Sequence, residues 1–459
     1  MARRSRSASG SLLDSPAIKK AAAALLDAVA EEAHSRALSP AAYERAIKQL
    51  ERLRGRPLGW PMLQAGVGQG ASVRLADGTQ LLDFIGGIGV YAFGHSDRNL
   101  LETAVAAAAV DTVFQGHLVP GVENLELSKL LIKHAGPQLK HAWLSVSGAM
   151  ANENALKMIL QKHQPADRIL VFENAFAGRT LAMAELTDKP GFREGLPLRG
   201  NVLHVPFYDP TQTDPIRHSL DALEAHLGRF PGRIAAMMFE LVQGEGGFNT
   251  APPEYFRALM ERCREAGLAV WVDEVQTFAR TGELYAFRTL GLEDLVDVVT
   301  LGKILQGSAV LFSRRYNPKP GLISGTYAGS TVGMAVGARI IERLDQEGYL
   351  GPEGRVVVLA RRVERRFESL AKRMPQAIGP RSGIGAMQAF VPWNGNPEVV
   401  GAVLRKCFEE GLLVFGAGRS PMKVRMLLPV NTTDEELEQG FAILEKALAA
   451  VGEERGLPC

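Results

Sequence analysis

Along most of the chain the apolar residues fall in short unbroken runs, and amphipathic stretches separate one run from the next. HAWLSVSG precedes ANENALKMILQKH, RILVFENAF precedes GRTLAMAEL, and IAAMMFELV precedes PPEYFRALMERCREAG; LAVWVDEV and DVVTLGK follow. A run such as AVWV, with no polar alternation, fits a strand buried on both faces, which belongs to a parallel sheet covered by helices. The segment of about 100–334 therefore predicts an α/β domain. Upstream, residues 15–54 read as two helices with charged faces and an apolar stripe, the second opened by the pair Ser39-Pro40. SVRLADGTQLLDFIGG reads as a hairpin turning at Asp77-Gly78. From about 335, MAVGARIIERL, GIGAMQAFVPW, KVRMLLPV and TDEELEQGFAILEKALAAVG predict a smaller α+β unit. The predicted organisation is a tail and helical extension (1–55), a large domain (106–334), and a small domain in two parts (56–105 and 335–459). The first 14 residues or so, basic and Ser-rich, predict a disordered tail.

Composition narrows the class. A chain of 459 residues exceeds what one core supports. Lys plus Arg (52) balance Asp plus Glu (50), so no single-sign field points to nucleic acid or an anionic membrane as partner. The apolar runs are too short to span a bilayer, and the basic start lacks the continuous apolar stretch of a secretory signal. Cys263, Cys407 and Cys459 are scattered without CxxC pairing, which fits a reducing compartment and an expected cytoplasmic location. Nine histidines include no HExxH spacing, so no metal site is expected.

Candidate chemistry lies where strands end. The glycine-rich stretches 66–71 and 86–94 do not sit between a buried strand and a helix start, which argues against a dinucleotide fingerprint. Ser147-Gly148-Ala149 does: it follows WLSV and opens a helix, whose free N–H groups suit a phosphate. Asp273 ends LAVWVDEV at the crevice side of a buried strand, where it either pairs structurally with an arginine or serves a ligand. Lys303 ends DVVTLG, either as an exposed lysine or as an imine-forming nucleophile. Read jointly, with the aromatic of ENAFAGRT, these groups match the needs of pyridoxal phosphate. Its aldehyde takes a lysine, its ring nitrogen a carboxylate, its phosphate a helix start and its ring a stacking face.

In order and wording the segments also resemble the class III aminotransferases, the ornithine/acetylornithine/GABA group of fold-type I pyridoxal-phosphate enzymes. LLDFIGGIGVYAFGHS, SGAMANENALK, FAGRT, FELVQGEGG, VDEVQT…RTG, TLGK, GTYAGS and VRMLLP carry the resemblance, from about residue 81 to about 448. It implies a large domain with a mostly parallel sheet, a smaller α+β domain, and a homodimer with sites at the interface. Lys303 would hold the cofactor and move protons, and Asp273 would pair with the ring nitrogen. Ser147, Gly148 and Ala149 would hold the phosphate, with Thr326 reaching it from the other subunit. Phe176 and Val275 would flank the ring, and Gln276 would bond its phenolic oxygen. Arg179 and Arg425 would take substrate carboxylates, Glu245 would mask Arg425 when an ω-amine is bound, and Glu240 would support the network. The implied reaction moves an amino group from an ω-amino or diamino acid to 2-oxoglutarate, or the reverse, by a ping-pong cycle. An aminomutase of the same family and a non-catalytic cofactor-binding protein are the alternatives. The chain departs from the family pattern at Met150, Ala177 and Leu241, and in a loop one residue shorter after Gln276.

Overall fold

The computed structural model describes residues 13, 15–35, 37–110 and 118–458. Most of the expected tail, and Cys459, lie outside the described residues. In chain order the first strands are β1 (Gln64–Gln69), β2 (Ser72–Leu75), β3 (Gln80–Asp83), β4 (Leu139–Ser145), β5 (Arg168–Phe172) and β6 (Val202–Val205). Next come β7 (Ile234–Phe239), β8 (Val242–Gln243), β9 (Asn249–Thr250), β10 (Ala269–Glu274), β11 (Val298–Leu301) and β12 (Ser308–Ser313). The last are β13 (Ile378–Ile384), β14 (Met387–Pro392), β15 (Leu412–Leu413), β16 (Phe415–Ala417) and β17 (Lys423–Leu427).

The large sheet has the order β4-β12-β11-β10-β7-β5-β6. Only β12 runs against its neighbours; the pairs among β11, β10, β7, β5 and β6 are all parallel. Its direction follows from the connection: a single short turn, Lys303–Leu305, separates it from β11, and parallel pairing would need a crossover of a dozen or more residues. Strands β7, β10, β11 and β12 are buried at every position, which is why their sequences show no alternation. Trp271 in β10 is fully buried, and its indole N–H donates to Thr300 Oγ1 on β11 at 3.2 Å. Full burial of a large side chain stabilises by roughly 2–3 kcal/mol.

Besides the two-stranded pair β8-β9, two four-stranded sheets accompany this one. β1, β2 and β3 form an antiparallel meander that takes β15 along the free edge of β3, so residues far apart in sequence share one sheet. β13, β14, β17 and β16 form an antiparallel sheet of their own. The expected hairpin is present, with Gly78 at φ +94° in its turn. Both N-terminal helices, Pro16–Ser35 and Pro40–Arg54, pack on the body. Tyr43 and Ile47 of the second lie against Val73, Leu75 and Leu81, and Leu63 N–H donates to the Tyr43 hydroxyl at 3.0 Å.

After β3 the chain makes a left-handed turn, with Gly86, Gly87, Ile88 and Gly89 all at φ between +54° and +78°. A β-branched residue such as Ile88 adopts that conformation only where its surroundings impose it. Asp83 supplies the constraint: its buried carboxylate accepts the N–H groups of Ile85, Gly86 and Gly87 at 2.9–3.0 Å and meets His95 Nε2 at 2.9 Å. Asp83→Ala leaves those donors without an acceptor and is expected to lower the thermal midpoint by roughly 5 °C or more. Differential scanning calorimetry reads this directly, and an unchanged midpoint would show that the turn stands without the carboxylate.

Candidate active site

Most of the sequence-predicted residues lie at the carboxyl edge of the large sheet, where crevices of α/β sheets form. β10 delivers Asp273, which is 6% exposed. Among the described residues no arginine pairs with its carboxylate. Asn152 Nδ2 donates to it at 2.7 Å and Val275 N–H at 2.8 Å. Burial pushes the Asp273 carboxyl up to about 6, against the lowering effect of these two donors and of the Lys303 charge. The next residue, Glu274, points to the opposite face and serves structure: it accepts from Thr277, Ala286 and Phe287 at 2.6–3.0 Å.

Lys303 leaves β11 with φ +51° and is partly buried rather than exposed. Burial, with help from the nearby Arg425 and Arg280, lowers its ammonium to about 7; Glu245 and Asp273 oppose this. Arg280 is itself fully buried, bonded to Leu428 O at 3.3 Å, and burial lowers it to about 10.

After β4, Ser147 caps the helix Gly148–Lys162, its Oγ accepting Met150 N–H at 3.3 Å. Small residues here meet a packing requirement. A Cβ on Gly148 would lie 2.7 Å from Val275 Cγ1, and one on Gly178 would lie 2.8 Å from the Cβ of Ala149. Asn152, one turn into the helix, reaches both Asp273 and Ala177 O, the latter at 2.7 Å. Sequence reading assigned it no role, although its spacing of four from Gly148 puts it on the same helix face.

Phe176 donates its N–H to Glu240 Oε2 at 2.7 Å and sets its ring edge-on to Phe192, centroids 6.0 Å apart. Glu240, at the end of β7, also accepts Gly244 N–H at 3.1 Å. Burial first, and then the Asp273 charge, push its carboxyl up to about 8, so it is largely neutral at pH 7. The β8–β9 hairpin carries Glu245 in its loop. Arg425, on β17 and 3% exposed, donates from Nη2 to Glu245 Oε1 at 2.7 Å and from Nη1 to Gly244 O at 3.0 Å. Lys189 Nζ approaches Glu245 Oε2 at 3.2 Å, a second cation on the same carboxylate that no feature of the LTDKPGF segment announced. Burial works to raise the Glu245 carboxyl, but Arg425 and Lys189 together hold it below the usual range.

Two predicted residues stand apart. Arg179 is exposed, its guanidinium 3.6 Å from the centroid of Phe192. Thr326 lies on the surface segment ahead of the helix Thr331–Gln346. Among the described residues no group of His, Cys, Asp and Glu could hold a metal ion, and no helix is long and apolar enough to cross a membrane.

The arrangement fits pyridoxal phosphate on its own donors. Gln276 Oε1 and Asn152 Oδ1 are buried without a partner, and buried polar atoms of that kind call for one. Beside them lie an amine, a carboxylate and a helix N-terminus kept clear by glycine.

Comparison with known proteins agrees. The family model for class III aminotransferases matches residues 61–448. A 2-aminoadipate transaminase of Pseudomonas putida is 32% identical over 400 residues, covering 83% of this chain and 94% of the relative. A diaminobutyrate–2-oxoglutarate transaminase of Nocardia farcinica is 30% identical over 417 residues, covering 87% and 92%. Among solved structures, the lysine aminotransferase of Mycobacterium tuberculosis superposes with a TM-score of 0.79 at 24% identity, over 88% of this chain and 99% of that one. The chain belongs to the class III aminotransferases, a family that depends on pyridoxal phosphate, and has the fold-type I architecture. It is a transaminase.

An acid whose folded-state pKa lies above its unfolded value costs stability as it ionises. For Asp273 that cost is absent below about pH 4, grows towards about 6, and is complete above it. In cofactor-free protein, Asp273→Asn is expected to raise the thermal midpoint above pH 6 and to lose the advantage near pH 4. A pH series of melting curves checks this; a difference constant across the range would place the cost elsewhere.

Proposed function

We propose that this chain binds pyridoxal phosphate and moves an amino group between an ω-amino or diamino acid and 2-oxoglutarate in two alternating half-reactions. The observation that carries the reading is Glu245 seated on Arg425 a short way from Lys303. Lys303, Asp273, Gln276, Phe176, Val275 and the turn Ser147–Gly148–Ala149 would hold the cofactor. When bound, the cofactor supplies an aldehyde for the substrate nitrogen and a ring that takes up the electrons of the broken Cα–H bond.

The chain's own residues do the rest. Asp273, ionised above about pH 6, offers a negative charge to a protonated ring nitrogen. Lys303, at about 7, can accept the Cα proton and return it near neutral pH. With Glu245 in place the Arg425 charge is neutralised and the pocket accepts an uncharged chain ending in an amine. With Glu245 withdrawn, the guanidinium fork is free for the α-carboxylate of glutamate. Lys189 supports such a swing, since the departing carboxylate keeps one cation. Arg179 would have to leave Phe192 to take a carboxylate, and Glu240 would brace the Phe176 and Gly244 backbone. The names of the relatives, which act on aminoadipate and diaminobutyrate, support an amino acid with a second charged group as donor.

The same proposal includes the two-part small domain at 56–105 and 335–459, a cytoplasmic location and a homodimer with Thr326 reaching the neighbouring site. Exposed Leu118, Val119, Val122 and Tyr327 support self-association.

Two measurements test the reading. Lys303→Ala is expected to abolish turnover and the visible absorbance of the bound cofactor; an unchanged spectrum overturns the assignment. Glu245→Gln is expected to slow the half-reaction with ω-amines by about 10-fold or more while sparing glutamate. Equal effects on both donors in stopped-flow traces would remove the masking role.

A further inference from the structure

β17 carries a second basic residue on the same face as Arg425. Lys423 lies two positions earlier and is 9% exposed. Its ammonium donates to Asn249 Oδ1 and Ser382 Oγ, both at 2.8 Å, and no carboxylate among the described residues pairs with it. A buried cation with neutral partners only is costly, and burial lowers Lys423 to about 8.

Beside it opens a pocket of about 320 Å³, lined among others by Asn174, Gly246, Asn249, Arg419, Ser420 and Lys423. The lining holds two cations and no Asp or Glu. Arg419 is exposed and forms no ion pair among the described residues. The pocket shares backbone with the Glu245–Arg425 pair: Gly246 follows Glu245, and Gly418 N–H donates to Glu245 O at 2.9 Å.

We propose that this pocket binds a small oxyanion, a carboxylate or a phosphate, between the Lys423 ammonium and the Arg419 guanidinium. The ammonium supplies a point charge at the floor, and the guanidinium supplies a planar fork at the mouth. An occupant there ties the segment around Arg419 to the loop that carries Glu245.

The test uses the cofactor-loaded enzyme titrated with inorganic phosphate by isothermal calorimetry. Saturable binding is expected, weakened about 10-fold by Arg419→Met and by Lys423→Met. Arg419 lies on the surface, so its substitution does not threaten folding; an unchanged visible spectrum verifies Lys423→Met. This arm needs no turnover and stands apart from the activity proposed above. A second arm compares KM for 2-oxoglutarate and for pyruvate in Arg419→Met. A rise of about 10-fold for the dicarboxylate alone identifies the occupant as a substrate's second carboxylate. Weakened phosphate binding with both KM values unchanged identifies a free anion. Absent phosphate binding, or binding indifferent to both substitutions, together with unchanged KM values, overturns the proposal.

Discussion

The position of Asp273 governs the architecture of the site. A carboxylate at the end of a strand buried on both faces is largely cut off from water, and no arginine among the described residues pairs with it. The fold meets the cost with two directed donors and a nearby lysine. Each of these fixes a further part of the structure. Asn152 must lie one turn into a helix whose first residue, Gly148, packs against Val275, so the chain must cross from the end of β4 to the end of β10 within three residues. Val275 must follow the strand immediately, and Gly148 must lack a side chain to let it fit. Lys303 must turn out of β11 in the left-handed region to face the same crevice.

Electrostatic economy explains the neighbouring groups. Three carboxyl groups share the site, and Glu240 feels the charges of both Asp273 and Glu245. The site separates their charge states by environment. Glu240, with only backbone N–H partners, is pushed towards its neutral form, while Glu245 stays ionised between Arg425 and Lys189. Burial first, and then Arg425 and Arg280, discourage a proton on Lys303, so the amine is poised near neutral pH without a dedicated base beside it. Each shift depends on burial, because in water the high dielectric constant would reduce the same charge interactions to about 1 kcal/mol or less.

Much of this was legible along the chain. The unbroken run AVWV gave away a strand buried on both faces, and it made Asp273 and Lys303, at the ends of such runs, candidates for a crevice while leaving a structural ion pair and an exposed lysine open. Gly148 after a buried strand announced a helix start open to close approach. Other features left no local mark. Strand β12 runs antiparallel because of a short turn, and its sequence reads like that of its parallel neighbours. Lys189 sits in an ordinary loop. The family resemblance implies a carboxylate-binding role for Arg179, while its guanidinium rests on Phe192 at the surface.

The sequence by itself determined the class of element along the main apolar runs and amphipathic stretches and the chemical groups available at the strand ends, because burial period and side-chain type are written residue by residue. Tertiary structure decided which groups meet. Glu245 and Arg425 are 180 residues apart, and Asp273 and Asn152 are 121 apart. Pairs at such separations are set by sheet order and loop closure, and those depend on the packing of the whole chain rather than on any segment of it.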